Sequence, residues 1–476
     1  MSCAAALSVA ACSVGPRLGA PSLPPPGRYE ASPRSTTVEW TPEMQSSWWT
    51  LFHSVELDRL LAESFHHNPS LAAAEDAISV AQANAAATAG ALYPVIGLNL
   101  GLQRSTALRS IIGARVRVPG QPFTLAQVSA AVSFSPDIFG LNHDKLLAAQ
   151  SEVAVTTAER NAVAITLAGN VAEAAVAFAG FQAELDLQQS IVQEEQQVLS
   201  VLQANYRIGS TTLETVEQQQ STLSANRAEL PLLATERDNE RHQLDLLLGR
   251  FPDTPVKPIS FKTFVFPSRI PVTLPSEMLK SRPDIAAASA KMDASSHLVD
   301  ATTAAMYPSI NLSASFGGGS DVALFNPVSS IYSLAAGLAA PIFEGGVLSA
   351  KKREAVAEWK QDVHQYEGTV LKAFEEVADA IRKLDGDEAA LKEQQTAEMA
   401  ANQAFQLARS QYESGAVDYP TLLLAQTNFQ QSAMQVLMTK IELYRNVIAL
   451  FVALGGKPPI PMNVTTGFHL TKKANG

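Results

Sequence analysis

The sequence predicts a mainly α chain with a β-barrel portion, built as two tandem structural repeats of long coiled-coil helices and four strands. Three observations carry this. The stretch "ALYPVIGLNLGLQ" (91–103) has a near-twin in "AMYPSINLSASFG" (305–317). Two very long runs, Asn142 to Arg207 and Gly346 to Ser414, contain no proline. Four short segments alternate apolar with small or polar residues.

The twinning extends along the chain. Pro69 precedes Pro94 by 25 residues, and Pro283 precedes Pro308 by 25. Tyr206-Arg-Ile-Gly209 answers to Tyr412-Glu-Ser-Gly415, and Gly249 and Gly455 each follow those glycines by 40 residues. A period of roughly 210 residues is too long for a solenoid repeat, so two similar halves of one architecture are expected.

From the N-terminus, "LSVAACSVGP" reads as the end of a bacterial lipoprotein signal, with Cys12 as the acylated residue after a signal remnant over 1–11. The only other cysteine, Cys3, would leave with the signal, so no disulfide within the chain is expected. Residues 12–40 follow as a Pro-rich, extended tether. The first repeat is placed over 41–255, a linker over 256–275, the second repeat over 276–457 and a tail over 458–476.

The stretch "WTPEMQSSWWTLFHSVELDRLLAESFHHNPSL" opens the first half with aromatics and a short amphipathic helix. The Ala-rich pattern from Pro69 to Leu92 reads as a helix that stops at the Tyr-Pro pair, because proline disfavours helix at the residue before it. After Pro94, Ile96, Leu98, Leu100 and Leu102 alternate with Val95, Gly97, Asn99 and Gly101; after Pro308, Ile310, Leu312, Ala314 and Phe316 alternate with Ser309, Asn311, Ser313 and Ser315. A period of two means strand, expected near 95–104 and 309–317, each with one greasy face. Matching strands are expected near 126–135 and 331–341. Such strands suit an outer-membrane wall, with Ile96, Leu98, Leu100, Ile310, Leu312 and Phe316 toward lipid. An ordinary sheet packed on helices would show the same alternation. Four strands cannot close a barrel, for which about 8 are needed; two copies would supply that number and three copies twelve.

At about 1.5 Å per residue, each proline-free run makes a helix on the order of 100 Å long. Phe181, Leu185, Val192, Leu199, Leu202 and Tyr206 form one seam, interrupted by Gln188 and Glu195. Near the C-terminus two seams run side by side: Ala433, Val436, Leu443, Val447, Leu450 and Leu454, and Leu437, Ile441, Tyr444, Ile448 and Phe451. Two seams fit a ring of helices with a neighbour on each side; a helix buried in a bundle would look alike.

Composition bounds the function. Lys+Arg 35 against Asp+Glu 46 gives a net charge of −11, which argues against nucleic acid as partner. No uninterrupted apolar run reaches the ~18 residues of a spanning helix, so a membrane role must use strands or a lipid. No catalytic constellation, metal-ligand pattern or cofactor motif is present, and no enzyme is expected. His66-His67 lacks an acidic or Cys partner, and "GGGS" (317–320) lacks the Lys of a phosphate loop. "KKRE" (351–354) reads as a solvated helical face.

Together, "ACSVGP", "WWTLFHSVELDRLL", the two Tyr-Pro strand starts, "SPDIFG", "APIFEGG", "YRIGSTTLE" and "YESGAVDYPTLLLAQ" resemble the TolC-like outer-membrane factor family, in particular its nodulation-type lipoprotein branch. The resemblance implies a homotrimer in the outer membrane, with a twelve-stranded β-barrel continued by a periplasmic α-helical barrel. It implies a passive duct for small molecules in tripartite efflux, docked to a periplasmic adaptor (membrane fusion) protein and an inner-membrane pump. The rival from the residues alone is a lipid-anchored periplasmic coiled-coil scaffold or adaptor. By the family's pattern the periplasmic aperture lies at the turns Gly209–Gln219 and Gly415–Gln426, with Glu214, Glu217, Asp418 and Leu424 as its residues. Many relatives have an acid where this chain has Leu424. Glu214 and Glu217 also suit helix starts, where the dipole favours carboxylates.

Overall fold

The computed structural model describes residues 29, 38–41, 47–105, 123–253, 257–321 and 329–456. Cys12, the signal remnant over 1–11, most of the tether and the tail over 458–476 lie outside them. The elements are β1 (Val38–Thr41), α1 (Val55–His67), α2 (Pro69–Ala89), β2 (Val95–Ser105), β3 (Phe123–Phe134), α3 (Leu141–Arg207), α4 (Leu213–Leu247), β4 (Ile270–Thr273), α5 (Pro275–Ser281), α6 (Pro283–Ala304), β5 (Ser309–Asp321), β6 (Ser329–Ala339), α7 (Val347–Glu413) and α8 (Tyr419–Leu454). The four expected strands and both long helices are present, and α3 and α7 each run 67 residues.

Contacts divide the chain into two compact units. The first contains Ala77–Thr157 and Ala287–Glu367. Its sheet has the order β2-β3-β5-β6, antiparallel throughout. The register keeps one parity across all four strands. Ile96 faces Val132, Val132 faces Ala314, and Ala314 faces Leu334; Leu98, Ala130, Phe316 and Tyr332 form the next row. The alternating apolar positions of the four strands therefore share one face, because side chains on a strand alternate with period two, while Val95 and Ile331 fall on the other face with Ser133 and Gly317. Contacts between the two segments continue beyond the β3–β5 pairing. Ser135 Oγ donates to the carbonyl of Ile310 at 2.9 Å, and Phe139 stacks on Tyr307 with ring centroids 5.0 Å apart. Further along, Lys291 of α6 pairs with Glu152 of α3 at 3.3 Å.

The second unit contains Leu23–Asp76, Ala158–Ala286 and Gly368–Gly476. Its core is helical. Both C-terminal seams bury side chains within a single chain: Val436, Leu443, Val447, Leu450 and Leu454 on one, and Ile441, Tyr444, Ile448 and Phe451 on the other. Helix α8 is joined to α3 by Arg445–Glu173 at 2.6 Å and to α7 by Asn446 Nδ2 donating to Asp387 at 2.5 Å. The polar interruptions of the α3 seam have partners on α4. Gln188 Nε2 donates to the carbonyl of Asn226 at 3.0 Å, and Asn226 Nδ2 donates to Glu195 at 2.7 Å.

Three features depart from the sequence reading. The last residues of the tether are paired: β1 lies parallel to β4, with Val38 opposite Ile270. Segment 256–275, read as a linker, is packed, with Ile259, Phe264, Ile270 and Val272 buried. Four-residue strands are too short to leave a periodic signal, so neither could be seen beforehand. Helix α3 also holds an 18-residue window with mean hydropathy 1.7, enough by composition to cross a membrane, although 72% of it is buried inside the chain. Scattered Gly, Thr and Asn conceal this window from a search for unbroken apolar runs.

Candidate functional site

The first candidate surface is the sheet. Its apolar face is bare: Leu100 is 72% exposed, Phe316 64% and Leu334 80%. Ile96 and Leu98 are equally open, Leu312 is exposed to a lesser degree and Ile310 is half-buried. The opposite face carries Asn99, Ser133, Asn311, Ser313 and Ser315, and Ser315 and Ser333 hydrogen-bond through their hydroxyls at 2.8 Å. An antiparallel sheet in a water-soluble core covers its apolar face and exposes its polar one. This sheet exposes both. Among the described residues β2 and β6 each pair on one side only, leaving two open edges.

The second candidate is the pair of helix turns in the other unit. Helix α3 ends at Gly209 (φ +77°), whose N–H donates to Tyr206 O at 2.9 Å while Ser210 N–H reaches Asn205 O at 2.9 Å. Helix α7 ends in the same way at Gly415 (φ +74°), with Gly415 N–H on Tyr412 O and Ala416 N–H on Gln411 O at 2.8 Å. The left-handed glycine and this bond pair are how a helix caps its last carbonyls and reverses. The next helices start on capping side chains. Thr212 Oγ1 accepts from Thr215 N–H at 3.2 Å, and Asp418 Oδ1 accepts from Thr421 N–H at 3.2 Å.

Beneath the turns, Leu199, Leu202, Val216, Leu223, Ala408, Tyr419 and Leu422 form one buried cluster drawn from α3, α4, α7 and α8. The Tyr419 hydroxyl donates to Gln219 Oε1, and Gln219 Nε2 donates to the carbonyl of Glu195 at 3.2 Å. This buried cross-tie between the turns leaves no trace in the sequence beyond Glu195 interrupting an apolar seam. Burial pushes the Glu195 carboxyl up, opposed by its hydrogen bonds. Burial likewise pushes the Tyr419 hydroxyl up.

The four expected aperture residues are all on the surface. Glu214 and Glu217 stand exposed in the first turns of α4, and Leu424 is 64% exposed in the second turn of α8. Asp418 is exposed and occupied as the cap of α8, where hydrogen bonds from Thr421 hold its carboxyl below the usual range. Among the described residues no hydrogen bond or ion pair joins these four to one another. His66 and His67 are exposed, as expected of solvated surface.

A chain with a bare, open-edged apolar sheet and two helices of 67 residues fits the class of outer-membrane channel proteins. The chain is a member of the outer membrane efflux protein family, which it matches over residues 60–250 and 274–456. It is 30% identical over 458 residues to the pyoverdine export outer membrane protein OpmQ of Pseudomonas putida, covering 94% of this chain and 95% of OpmQ. It is 26% identical over 455 residues to the cation efflux system protein CusC of Escherichia coli K12, covering 95% and 97%. Among solved structures the outer-membrane channel OprN shares the fold, with a TM-score of 0.86 at 23% identity over 94% of this chain and 100% of OprN. The TolC-like resemblance therefore holds, the protein belongs to the outer membrane, and its relatives are efflux proteins, not enzymes.

Proposed function

We propose that this protein is the outer-membrane duct of a tripartite efflux system, a passive conduit for small molecules such as drugs and toxic compounds. The observation that carries the reading is the four-stranded sheet with a bare apolar face and two open edges. Four strands fall short of the ~8 that close a barrel, so copies of the chain must supply the remainder. Three copies give twelve strands, and the two halves of each chain then act as tandem repeats around one axis. The long helices continue the conduit toward a periplasmic adaptor and an inner-membrane pump. OpmQ exports pyoverdine and CusC belongs to a cation efflux system, so one architecture serves unlike cargoes and the choice of cargo lies largely with the pump. At rest the duct closes at the turns around Gly209 and Gly415.

Acylation at Cys12 adds an anchor without being the main one, since a single acyl chain holds a membrane weakly compared with inserted strands. The test is expression in a Gram-negative host with Cys12→Ser behind a cleavable non-lipoprotein signal. The expected result is a heat-modifiable trimer in the outer membrane that conducts ions in planar bilayers. A variant wholly soluble in the periplasm would overturn the reading in favour of a lipid-anchored scaffold.

A further inference from the structure

Between the Phe139–Tyr307 stack and the Lys291–Glu152 ion pair, the seam where α3 packs on α6 holds a cluster that the duct does not use: Asp144, His297 and Asp300. One ligand atom from each lies within 4.8 Å of the other two. Asp144 is 2% exposed and Asp300 7%, while His297 is half-buried and gives access from the surface. Asp144 Oδ2 is buried and has no hydrogen-bond partner among the described residues. Nearby Asp137 is committed elsewhere, accepting from the N–H groups of Asn142 at 3.1 Å and His143 at 2.7 Å. Two carboxylates placed together out of water repel each other. An arrangement of this kind is stabilised by a cation that neutralises both.

We propose that Asp144, His297 and Asp300 bind one divalent first-row metal ion of the Zn²⁺ or Mn²⁺ kind. The geometry suits a single ion, since metal–ligand bonds of about 2.0–2.4 Å place donors on opposite sides of it no more than ~5 Å apart. The donor set selects the ion. One imidazole with two carboxylates favours Zn²⁺, Mn²⁺ or Fe²⁺, whereas Ca²⁺ needs about 6–8 oxygens and Mg²⁺ prefers an all-oxygen shell. Water entering from the His297 side completes the coordination. The bound ion ties the first turn of α3, which leaves β3, to the part of α6 that leads into β5, and so fixes the root of the sheet.

The full-length protein, purified in detergent and stripped with a chelator, is dialysed against ZnCl₂ or MnCl₂, with CaCl₂ and MgCl₂ as comparators, and its metal content measured. The expected result is one Zn²⁺ or Mn²⁺ retained per chain, with a higher Tm and little retention of Ca²⁺ or Mg²⁺. Asp144→Asn and His297→Gln each remove a direct ligand and should weaken retention by at least the ~10- to 100-fold lost when a group that merely supports a ligand is changed. Asp144→Asn relieves the repulsion with Asp300, so this variant should still assemble and its metal-free Tm should not fall. Wild-type protein that retains no more Zn²⁺ or Mn²⁺ than Asp144→Asn overturns the proposal. So does a Tm that follows pH but not metal, the signature of two carboxyls sharing a proton.

Discussion

Asn68 and Arg282 stand directly before Pro69 and Pro283, and each donates to the carbonyl two residues ahead of a positive-φ glycine. Asn68 Nδ2 reaches Leu247 O at 2.9 Å, ahead of Gly249; Arg282 Nη1 reaches Ala453 O at 2.6 Å, ahead of Gly455. The two halves thus dock the start of one helix on the end of another by the same contact with different chemistry. The glycines have no room for a side chain. A Cβ on Gly249 would lie 2.3 Å from His67 O, and one on Gly455 would lie 2.8 Å from Arg282 Cγ.

The two contacts differ in cost. Asn68 also caps α2 through Ser70 N–H at 2.9 Å, so Asn68→Ala should destabilise by about 1–2 kcal/mol. Arg282 also holds Asp284 through two bonds, at 3.0 and 2.7 Å, and Glu376 at 2.7 Å. Arg282→Ala should cost more, about 2–3 kcal/mol, because it removes several charge-assisted hydrogen bonds of a buried guanidinium, although Asp284 and Glu376 are partly solvated and Glu376 keeps Lys372 at 3.7 Å. Burial works against the charge of Asp284, yet Arg282 holds its carboxyl below the usual range. A lowered folded value means stability present above the unfolded pKa of about 3.9 and lost as pH falls through the folded value. Thermal unfolding of the variants against pH checks both points: Arg282→Ala should lose this acid-side dependence and Asn68→Ala should keep it.

On the sheet, Leu312 belongs to the apolar face and Ser313 to the other. Arginine at Leu312 should cost roughly 2–4 kcal/mol if the site lies near the midplane, and arginine at Ser313 should be tolerated. The yield of heat-modifiable assembly measures the difference. Equal loss at both positions would mean a strand buried on both faces.

The cross-tie at the turns is expected to matter for packing. Tyr419→Phe leaves Gln219 Oε1 without its donor in a buried cluster, a loss of about 1–3 kcal/mol. Hydrogen exchange should quicken around 195–225 and 415–430, with the sheet unaffected. Glu195 has the opposite sign from Asp284: its folded carboxyl is raised, so its contribution to stability falls as pH rises through the range between the unfolded and folded values. Glu195→Gln should remove that dependence and stabilise the protein at neutral pH.

Glu214, Glu217 and Leu424 make separable predictions for conduction. With three chains around an axis, the exposed acids would focus a negative potential in a narrow mouth. Glu214→Gln with Glu217→Gln should then reduce cation preference in planar bilayers. Leu424→Ser should raise conductance by loosening an apolar constriction. If single-channel records change in neither case, these residues lie on the outside of the turns.

The sequence by itself determined the elements whose signal is local or periodic. Proline at 94 and 308 ends an Ala-rich helix, a period of two defines the strands that follow, and long proline-free runs give α3 and α7 within a residue or two of their observed ends. Gly209 and Gly415 mark turns because few other residues accept a positive φ. What only the tertiary structure decided depends on residues far apart in the chain. The parallel pairing of Val38 with Ile270, the bond from Tyr419 to Gln219, and the meeting of Asp144 with His297 and Asp300 leave no periodic trace. Each joins positions from 150 to more than 200 residues apart, and only packing of the helices and strands brings them together. Burial was legible where an apolar seam repeats, but the polar residues inside it, Gln188 and Glu195, acquired meaning only once α4 placed Asn226 beside them.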